Sequence, residues 1–205
     1  MQELDERTGA VRGVVARYAE AFVPTEYGRM RVVVYREAGT PHEHCAIVMG
    51  DVAEGAEVLA RVHSECFTGE VLHSLKCDCR EQLDYALQAI AAEGRGLVMY
   101  LRQEGRGIGL GNKIRAYALQ EQGADTVDAN RLLGFEDDLR QYYAASAMLR
   151  DLEVRSVRLL TNNPKKVEAL RAESITVERV PVRIEAGSEN EEYLLTKRLR
   201  MGHLP

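Results

Sequence analysis

The chain has 205 residues, 45% of them hydrophobic and 29% charged, and a formal net charge of −5 at pH 7. This is the composition of a globular protein with enough apolar residues for a core. The negative charge excludes nucleic acid and anionic membranes as expected partners, so a polyanionic ligand must meet a local cluster of arginine and lysine. We find no secretory signal, and no apolar run reaches the roughly 18 residues of a membrane span, which predicts a cytoplasmic protein.

The first half of the chain is predicted to be rich in strands. Residues 1–23 combine mixed charge with helical apolar spacing, which predicts an N-terminal helical extension ahead of a catalytic domain over residues 24–205. Pro24 ends that helix. Apolar runs then predict strands at residues 30–35, 45–50 and 58–62.

Helices and strands alternate in the second half. Helices are predicted over 83–93, over 112–122 and from near Asp138, and strands over 96–101, 157–160 and 175–180. Asn163 and Pro164 are typical of a helix N-terminus between the last two strands. The pattern predicts a single-domain α/β fold, with α+β character in the N-terminal half and a mixed sheet with flanking helices.

Three cysteines have the spacing of a metal site. Ten residues separate Cys66 from the pair Cys77 and Cys79. Thiolates bind zinc well, and catalytic zinc keeps three protein ligands and one open position, where the pKa of a water falls to about 7. The alternatives are buried core thiols, or a structural site completed by His63 or His73. The fourth cysteine, Cys45, lies in an apolar run and is interpreted as a small buried hydrophobe.

Three polar segments offer anion binding or proton transfer. The glycine-rich segment 102–113 brings backbone amides close to an anion beside Arg102, Arg106 and Lys113. Asp138 and Arg140 suit a proton acceptor and a phosphate clamp, although an acidic residue near a helix start is more often a cap. Residues 161–166 combine a helix N-terminus with two lysines, which suits a phosphate but also makes an ordinary cap.

Four segments together closely resemble the GTP cyclohydrolase II family. They are RVHSECFTGEVLHSLKCDC, RQEGRGIGLGNKIRAYALQEQGADTVDAN, LGFEDDLRQY and VRLLTNNPKKVEAL. The resemblance extends from about Pro24 to the C-terminal NEEYLLTKRLRMGHL. It implies hydrolysis of GTP to 2,5-diamino-6-ribosylamino-4(3H)-pyrimidinone 5′-phosphate with release of formate and pyrophosphate, as in riboflavin biosynthesis. It also implies one Zn²⁺ per chain, Mg²⁺ with the triphosphate, and a homodimer.

The resemblance also implies roles for individual residues. Cys66, Cys77 and Cys79 match the family's zinc ligands. Asp138 matches its proton acceptor, Arg140 its nucleophile toward the α-phosphate, and Tyr117 an active-site tyrosine. The positions that match GTP-binding residues are Arg61, Val62, His63, Ser64, Glu65, Gln82, Glu104, Gly105, Arg106, Thr126, Thr161 and Lys166.

The sequence departs from the family's usual pattern at a few positions. Arg80 stands where glycine is common, Gly111 where leucine is usual, Leu101 where histidine is frequent, and Glu173-Ser174 replaces a glycine-containing turn. None of these changes removes a predicted ligand or base. Two alternatives remain: a paralogue that opens the ring but keeps the formyl group, and a zinc-stabilised nucleotide-binding module.

Overall fold

The computed structural model describes residues 14–123, 126–136, 138–184, 202 and 204. These residues divide into two compact units. The sheet unit comprises the described residues up to His63, with Leu83–Arg102 and Tyr142–Val182. The thiol unit contains Ser64–Gln82 and the described part of Gln103–Gln141. Cys66, Cys77 and Cys79 all belong to the thiol unit.

A mixed sheet forms the centre of the sheet unit. Its strands are β1 Val15–Thr25, β2 Gly28–Glu37, β3 Glu43–Met49, β4 Val58–Ser64, β5 Gly96–Leu101, β6 Ser156–Leu160 and β7 Thr176–Val180. Over the described residues the spatial order is β1-β2-β3-β5-β4-β6-β7. The pairs β1–β2, β2–β3 and β3–β5 are antiparallel, whereas β4–β6 and β6–β7 are parallel. The predicted strands after residue 25 are confirmed.

The helices follow the predicted alternation with three differences. They are α1 Phe67–Glu70, α2 Cys79–Glu93, α3 Gly109–Glu121, α4 Thr126–Leu132, α5 Tyr143–Asp151 and α6 Pro164–Ala172, with a short 3-10 helix over Glu104–Gly107. Helices α1 and α4 were not predicted, and α5 begins at Tyr143 instead of near Asp138. The Asn163 cap is confirmed, since its side chain accepts the Lys165 amide. The α/β fold with a mixed sheet and flanking helices is also confirmed.

The N-terminal helix is wrong where the structure describes the chain. Val15–Thr25 form strand β1, and a two-residue turn joins it to antiparallel β2. Backbone pairing with β2 decides the conformation of this segment. Its apolar residues were too few to distinguish helical from strand periodicity. Pro24 is tolerated because β1 is an edge strand, where a missing amide donor costs little. Residues 1–13 lie outside the described residues, and a separate extension over 1–23 stays a prediction.

The core of the sheet unit lies where α5 and α6 cover the sheet. Met148 and Leu149 of α5 and Leu159 of β6 are fully buried, and they belong to one apolar cluster with residues of β2, β3, β4 and β5. The small residues Ala144 and Ala145 let α5 approach closely. None of the described helices combines the length and hydropathy that crossing a bilayer requires.

We expect Leu149→Ala to lower the free energy of unfolding by about 2–5 kcal/mol, because it removes buried methyl groups and leaves a cavity. Urea denaturation followed by circular dichroism measures this change. Leu132→Ala is the matched control, since Leu132 is 70% exposed on α4, and it should change stability by about 0.5 kcal/mol or less. Equal effects of the two substitutions would contradict the assigned core.

Candidate functional site

Three thiols of the thiol unit converge on one point. Cys66 lies just before α1 and Cys79 begins α2, with Cys77 two residues earlier. The three Sγ atoms lie within 4.8 Å of one another, and those of Cys66 and Cys77 are 3.7 Å apart. Tetrahedral zinc with Zn–S distances of about 2.3 Å places two sulfurs about 3.8 Å apart. The trio therefore fits one ion.

The alternatives for the cysteines are weakened by this geometry. All four cysteines are free thiols. Among the described residues, neither His63 nor His73 joins the group of three sulfurs, so a Cys₃His site gains no support. Cys45 lies half-buried in β3, where burial raises the pKa of its thiol. Its placement fits the predicted small hydrophobe.

A glycine lets the three sulfurs come together. A Cβ atom at Gly69 of α1 would lie 3.0 Å from Cys77 Sγ and 3.3 Å from Cys66 Sγ. Contacts this short force neighbouring atoms to move. Gly69 is therefore part of the site although it carries no reactive group. Sequence reasoning missed it, because the glycine is recognised only once the sulfurs are placed.

The thiols differ in acidity because they share hydrogen bonds. Hydrogen bonds from Cys77 and Cys79 lower the pKa of the Cys66 thiol, and the charge of Lys113 lowers it further, against the effect of burial. The bond between Cys66 and Cys77 raises the pKa of the Cys77 thiol to about 11. Cys66 therefore ionises before Cys77.

A buried ion pair lies directly beside Cys66. The Lys113 ammonium on α3 donates to Cys66 Sγ at 3.2 Å and to Glu104 Oε1 at 2.7 Å. The other Glu104 oxygen accepts the Phe67 amide at 2.5 Å. Burial acts to lower the pKa of Lys113, but the bond to Glu104 and the charge of Cys66 outweigh it and raise that pKa above its ordinary value. Lys113 is thus a fixed cation.

The glycine-rich loop has a strained backbone that presents Arg106. Gly105 and Arg106 both adopt left-handed conformations, with φ of 62° and 61°. This conformation is costly for arginine and is common at functional sites. Both terminal nitrogens of the Arg106 guanidinium are buried and lack a hydrogen-bond partner among the described residues. A buried guanidinium without an acceptor is expected to receive one from an anionic ligand.

The same loop is tied to the segment that carries Asp138 and Arg140. The Leu139 amide donates to the Arg106 carbonyl at 3.0 Å. A Cβ atom at Gly107 would lie 3.0 Å from Leu139 Cβ, so only glycine permits this approach. The two predicted anion-binding elements are therefore neighbours within the thiol unit.

Asp138 and Arg140 form a bidentate pair in an irregular segment. Arg140 donates from Nε at 2.8 Å and from Nη2 at 2.7 Å to the two Asp138 oxygens, and its amide donates to Asp138 Oδ1 at 3.1 Å. The cap interpretation of Asp138 is wrong, because no helix begins there. The side chains meet because the backbone turns locally, which a helix would not allow for residues two apart.

These groups line one pocket of the thiol unit. The lining residues are Ser64, Glu65, Cys66, Cys77, Cys79, Gln103, Glu104, Gly105, Arg106, Ile108, Lys113, Ala116, Tyr117, Gln120 and Arg140. Ten of the predicted site residues are among them. Gln82 lies in the same unit and donates to the buried Asp78 at 2.5 Å. Thr126 lies in α4, and its side chain is outside the described part of the chain.

Five further predicted residues lie in the sheet unit: Arg61, Val62, His63, Thr161 and Lys166. Arg61 donates to His63 Nδ1 and to the Leu160 carbonyl, both at 3.2 Å. Lys166 of α6 donates to the carbonyl of Val62 at 2.7 Å. The rings of His63 and Tyr100 stack at 5.7 Å between centroids. Thr161 is buried and its hydroxyl accepts the Asn163 amide. These are buried polar groups at the ends of β4 and β6.

Comparisons with known proteins show the family of this chain. A sequence model described as GTP cyclohydrolase II matches residues 16–181. The chain belongs to the GTP cyclohydrolase II family. It is 53% identical over 191 residues to the protein named GTP cyclohydrolase-2 of Hahella chejuensis, covering 93% of this chain and 92% of the relative. It is 56% identical over 189 residues to the GTP cyclohydrolase-2 of Shigella boydii serotype 18, covering 92% and 96%.

A longer relative is similar to this chain over about half of its own length. The riboflavin biosynthesis protein RibBA of Bacillus subtilis is 53% identical over 193 residues, which is 93% of this chain and 48% of that protein. The family resemblance predicted from the four segments is therefore confirmed. The roles of individual residues in this family member are a separate matter and stay predictions.

We expect Gly69→Ala to weaken metal retention at the three thiols, because its Cβ would press on Cys66 and Cys77 Sγ. The loss should be about 10-fold or more in zinc affinity, measured by competition with a chromophoric chelator. Gly111→Ala is the control, since a Cβ there meets nothing within 4 Å. Unchanged affinity in Gly69→Ala, with stoichiometric zinc in both proteins, would contradict the assigned packing.

Proposed function

We propose that this chain is a zinc-dependent GTP cyclohydrolase II. It opens the imidazole ring of GTP, releases formate and pyrophosphate, and leaves 2,5-diamino-6-ribosylamino-4(3H)-pyrimidinone 5′-phosphate for riboflavin biosynthesis. The observation that carries the proposal is the lining of one pocket by three thiols that fit a metal ion and by Arg106, whose terminal nitrogens are buried without a hydrogen-bond partner among the described residues. The names of the relatives support the same activity.

Cys66, Cys77 and Cys79 would hold one zinc ion. The spacing of their sulfurs and the all-thiolate donor set suit zinc. When bound, zinc supplies a Lewis acid and a water of lowered pKa, which the hydrolysis of an electron-poor ring carbon requires. The pocket wall beside the sulfurs includes Tyr117. We propose that Tyr117 orients the guanine base of GTP.

Arg106 would bind the triphosphate, together with Mg²⁺. Its guanidinium is buried without an acceptor in the described structure, and charge-assisted bonds to phosphate would replace the hydration it has lost. The left-handed backbone at Gly105 and Arg106 holds the side chain in the pocket wall. The family resemblance also implies that Arg61, Thr161 and Lys166 of the sheet unit bind GTP, which we keep as part of the proposal.

Asp138 and Arg140 are proposed to act on the α-phosphate side. The carboxylate of Asp138 orients the guanidinium through two hydrogen bonds, and Arg140 lines the pocket. The arginine guanidinium keeps its proton in proteins, and pairing with a carboxylate stabilises the charged form further. The pairing therefore favours Arg140 as an electrostatic clamp over a nucleophile. Asp138 remains the proposed proton acceptor for the hydrolysis.

A homodimer is part of the proposal. The edge strand β1 exposes Tyr18 and Phe22, each with a relative accessibility of 58%. Exposed aromatic side chains on an edge strand are common where proteins associate. Light scattering on the purified protein gives the mass in solution.

We expect the zinc-loaded protein to convert GTP with Mg²⁺ into the deformylated diaminopyrimidine with equimolar formate and pyrophosphate. Mass spectrometry of the product decides the matter, because full turnover removes the C8 carbon. A formyl-retaining product would instead identify a paralogue and direct attention to Arg80 and Gly111. Unchanged GTP in a protein with stoichiometric zinc would leave only the nucleotide-binding module.

We expect Arg106→Gln to lower kcat/KM for GTP by about 10- to 150-fold, since a hydrogen bond to a charged group contributes about 1.5–3 kcal/mol. The loss should fall mainly on KM if the contact forms equally in ground and transition states. Arg115→Gln is the control, because Arg115 is exposed on the same unit and pairs with Asn112. Equal kinetics in the two variants would remove Arg106 from the phosphate site.

A further inference from the structure

The thiol unit contains a cation, Lys113, that the sequence predicted only as a possible partner for an anion. Lys113 lies on α3 with its side chain 12% exposed, and its ammonium donates to Cys66 Sγ at 3.2 Å. The same ammonium donates to Glu104 Oε1 at 2.7 Å. A buried lysine that donates to a metal-ligating sulfur is well placed to change the metal's properties without touching it.

Three thiolates on a divalent ion leave a net charge of −1. Burying this charge is unfavourable unless a cation lies nearby. Lys113 is a cation in hydrogen-bond contact with one of the three sulfurs. We propose that Lys113 is a positioning residue that neutralises the trithiolate zinc site through its hydrogen bond to Cys66, an inference that rests on the zinc site proposed above.

Glu104 holds Lys113 in place. One carboxylate oxygen accepts from Lys113 and from the Gly105 amide at 2.7 Å, and the other accepts from the Phe67 amide at 2.5 Å. The Phe67 amide directly follows Cys66 in the chain. Glu104 therefore holds the backbone next to Cys66 and also the Lys113 ammonium that donates to the Cys66 sulfur. The family resemblance implies that Glu104 binds GTP. In this structure its carboxylate instead contacts Lys113 and two backbone amides beside the proposed metal site.

Gly105 leaves room for the aliphatic part of the Lys113 side chain. A Cβ atom there would lie 3.1 Å from Lys113 Cβ and 3.2 Å from Ile108 Cγ1. With φ of 62°, the position also favours glycine on backbone grounds. The conformation of the glycine-rich loop at Gly105 therefore also accommodates the Lys113 side chain.

The hydrogen bond has a spectroscopic consequence. Donation from a cation to a thiolate lowers the energy of the sulfur lone pair, so charge transfer from sulfur to a bound metal requires more energy. Loss of the donor should move that absorption to longer wavelength. Replacing zinc by Co²⁺, which takes the same tetrahedral thiolate sites, makes the transition visible.

The test compares metal binding in the full-length wild type and in Lys113→Met, which keeps the length of the stem and removes the charge. We expect zinc affinity to fall about 10- to 100-fold, as for other groups that support metal ligands. We also expect the sulfur-to-cobalt band to shift to longer wavelength. Lys113→Arg, which keeps the cation, should recover most of the affinity.

A double variant separates this role from a buried-charge defect. Lys113→Met leaves the Glu104 carboxylate without its cation, which alone is destabilising. Adding Glu104→Gln removes that stray charge but does not restore the bond to Cys66. If the double variant still binds zinc weakly and keeps the shifted cobalt band, the proposal stands. Recovery of wild-type affinity and spectrum in the double variant overturns it.

Lys76→Met is the matched control for net charge. The Lys76 ammonium lies 3.8 Å from Glu121 and 4.9 Å from the centre of the Tyr117 ring, and its loss should leave the cobalt spectrum unchanged. An identical shift in this variant would contradict a specific bond from Lys113. If the wild type binds neither zinc nor cobalt at its thiols, the proposed metal site fails. If it binds both and Lys113→Met matches it, only the role of Lys113 fails.

Discussion

The buried carboxylate of Glu104 connects three segments of the thiol unit. It accepts hydrogen bonds from the Lys113 ammonium on α3, from the Phe67 amide at the start of α1, and from the Gly105 amide of the glycine-rich loop. A buried carboxylate is stable only when such donors surround it. The positions of Cys66, Lys113 and Arg106 therefore depend on one carboxylate, that of Glu104, and on its hydrogen bonds.

Close packing is the second constraint on the pocket. Gly69 leaves room for the sulfurs, and Gly107 lets the loop contact Leu139. Each glycine permits a contact that a side chain would block, and Asp138 and Arg140 stand on a short irregular segment beside the loop. Such segments place side chains two apart in sequence, as in Asp138 and Arg140, on one side. Regular helices or strands would separate or alternate them.

Sequence patterns predicted the elements whose signal is local and strong. The strands from β2 onward, helix α2 and the Asn163 cap were found because their apolar period or capping residue lies within the segment itself. Strand β1 was mistaken for a helix because its partner, β2, decides its conformation. The helix expected near Asp138 failed for a similar reason, since Asp138 binds Arg140 and does not cap a helix.

The sequence by itself determined the family and predicted that Cys66, Cys77 and Cys79 act together, because long matching segments and cysteine spacing can be recognised without a structure. Only the tertiary structure decided that Lys113 faces Cys66 and that the terminal nitrogens of Arg106 are buried without an acceptor in the described part of the chain. It alone revealed the role of Gly69. These facts depend on distances between residues far apart in the chain, 47 positions for Lys113 and Cys66. No local pattern encodes such distances, because they arise only when separate segments pack together.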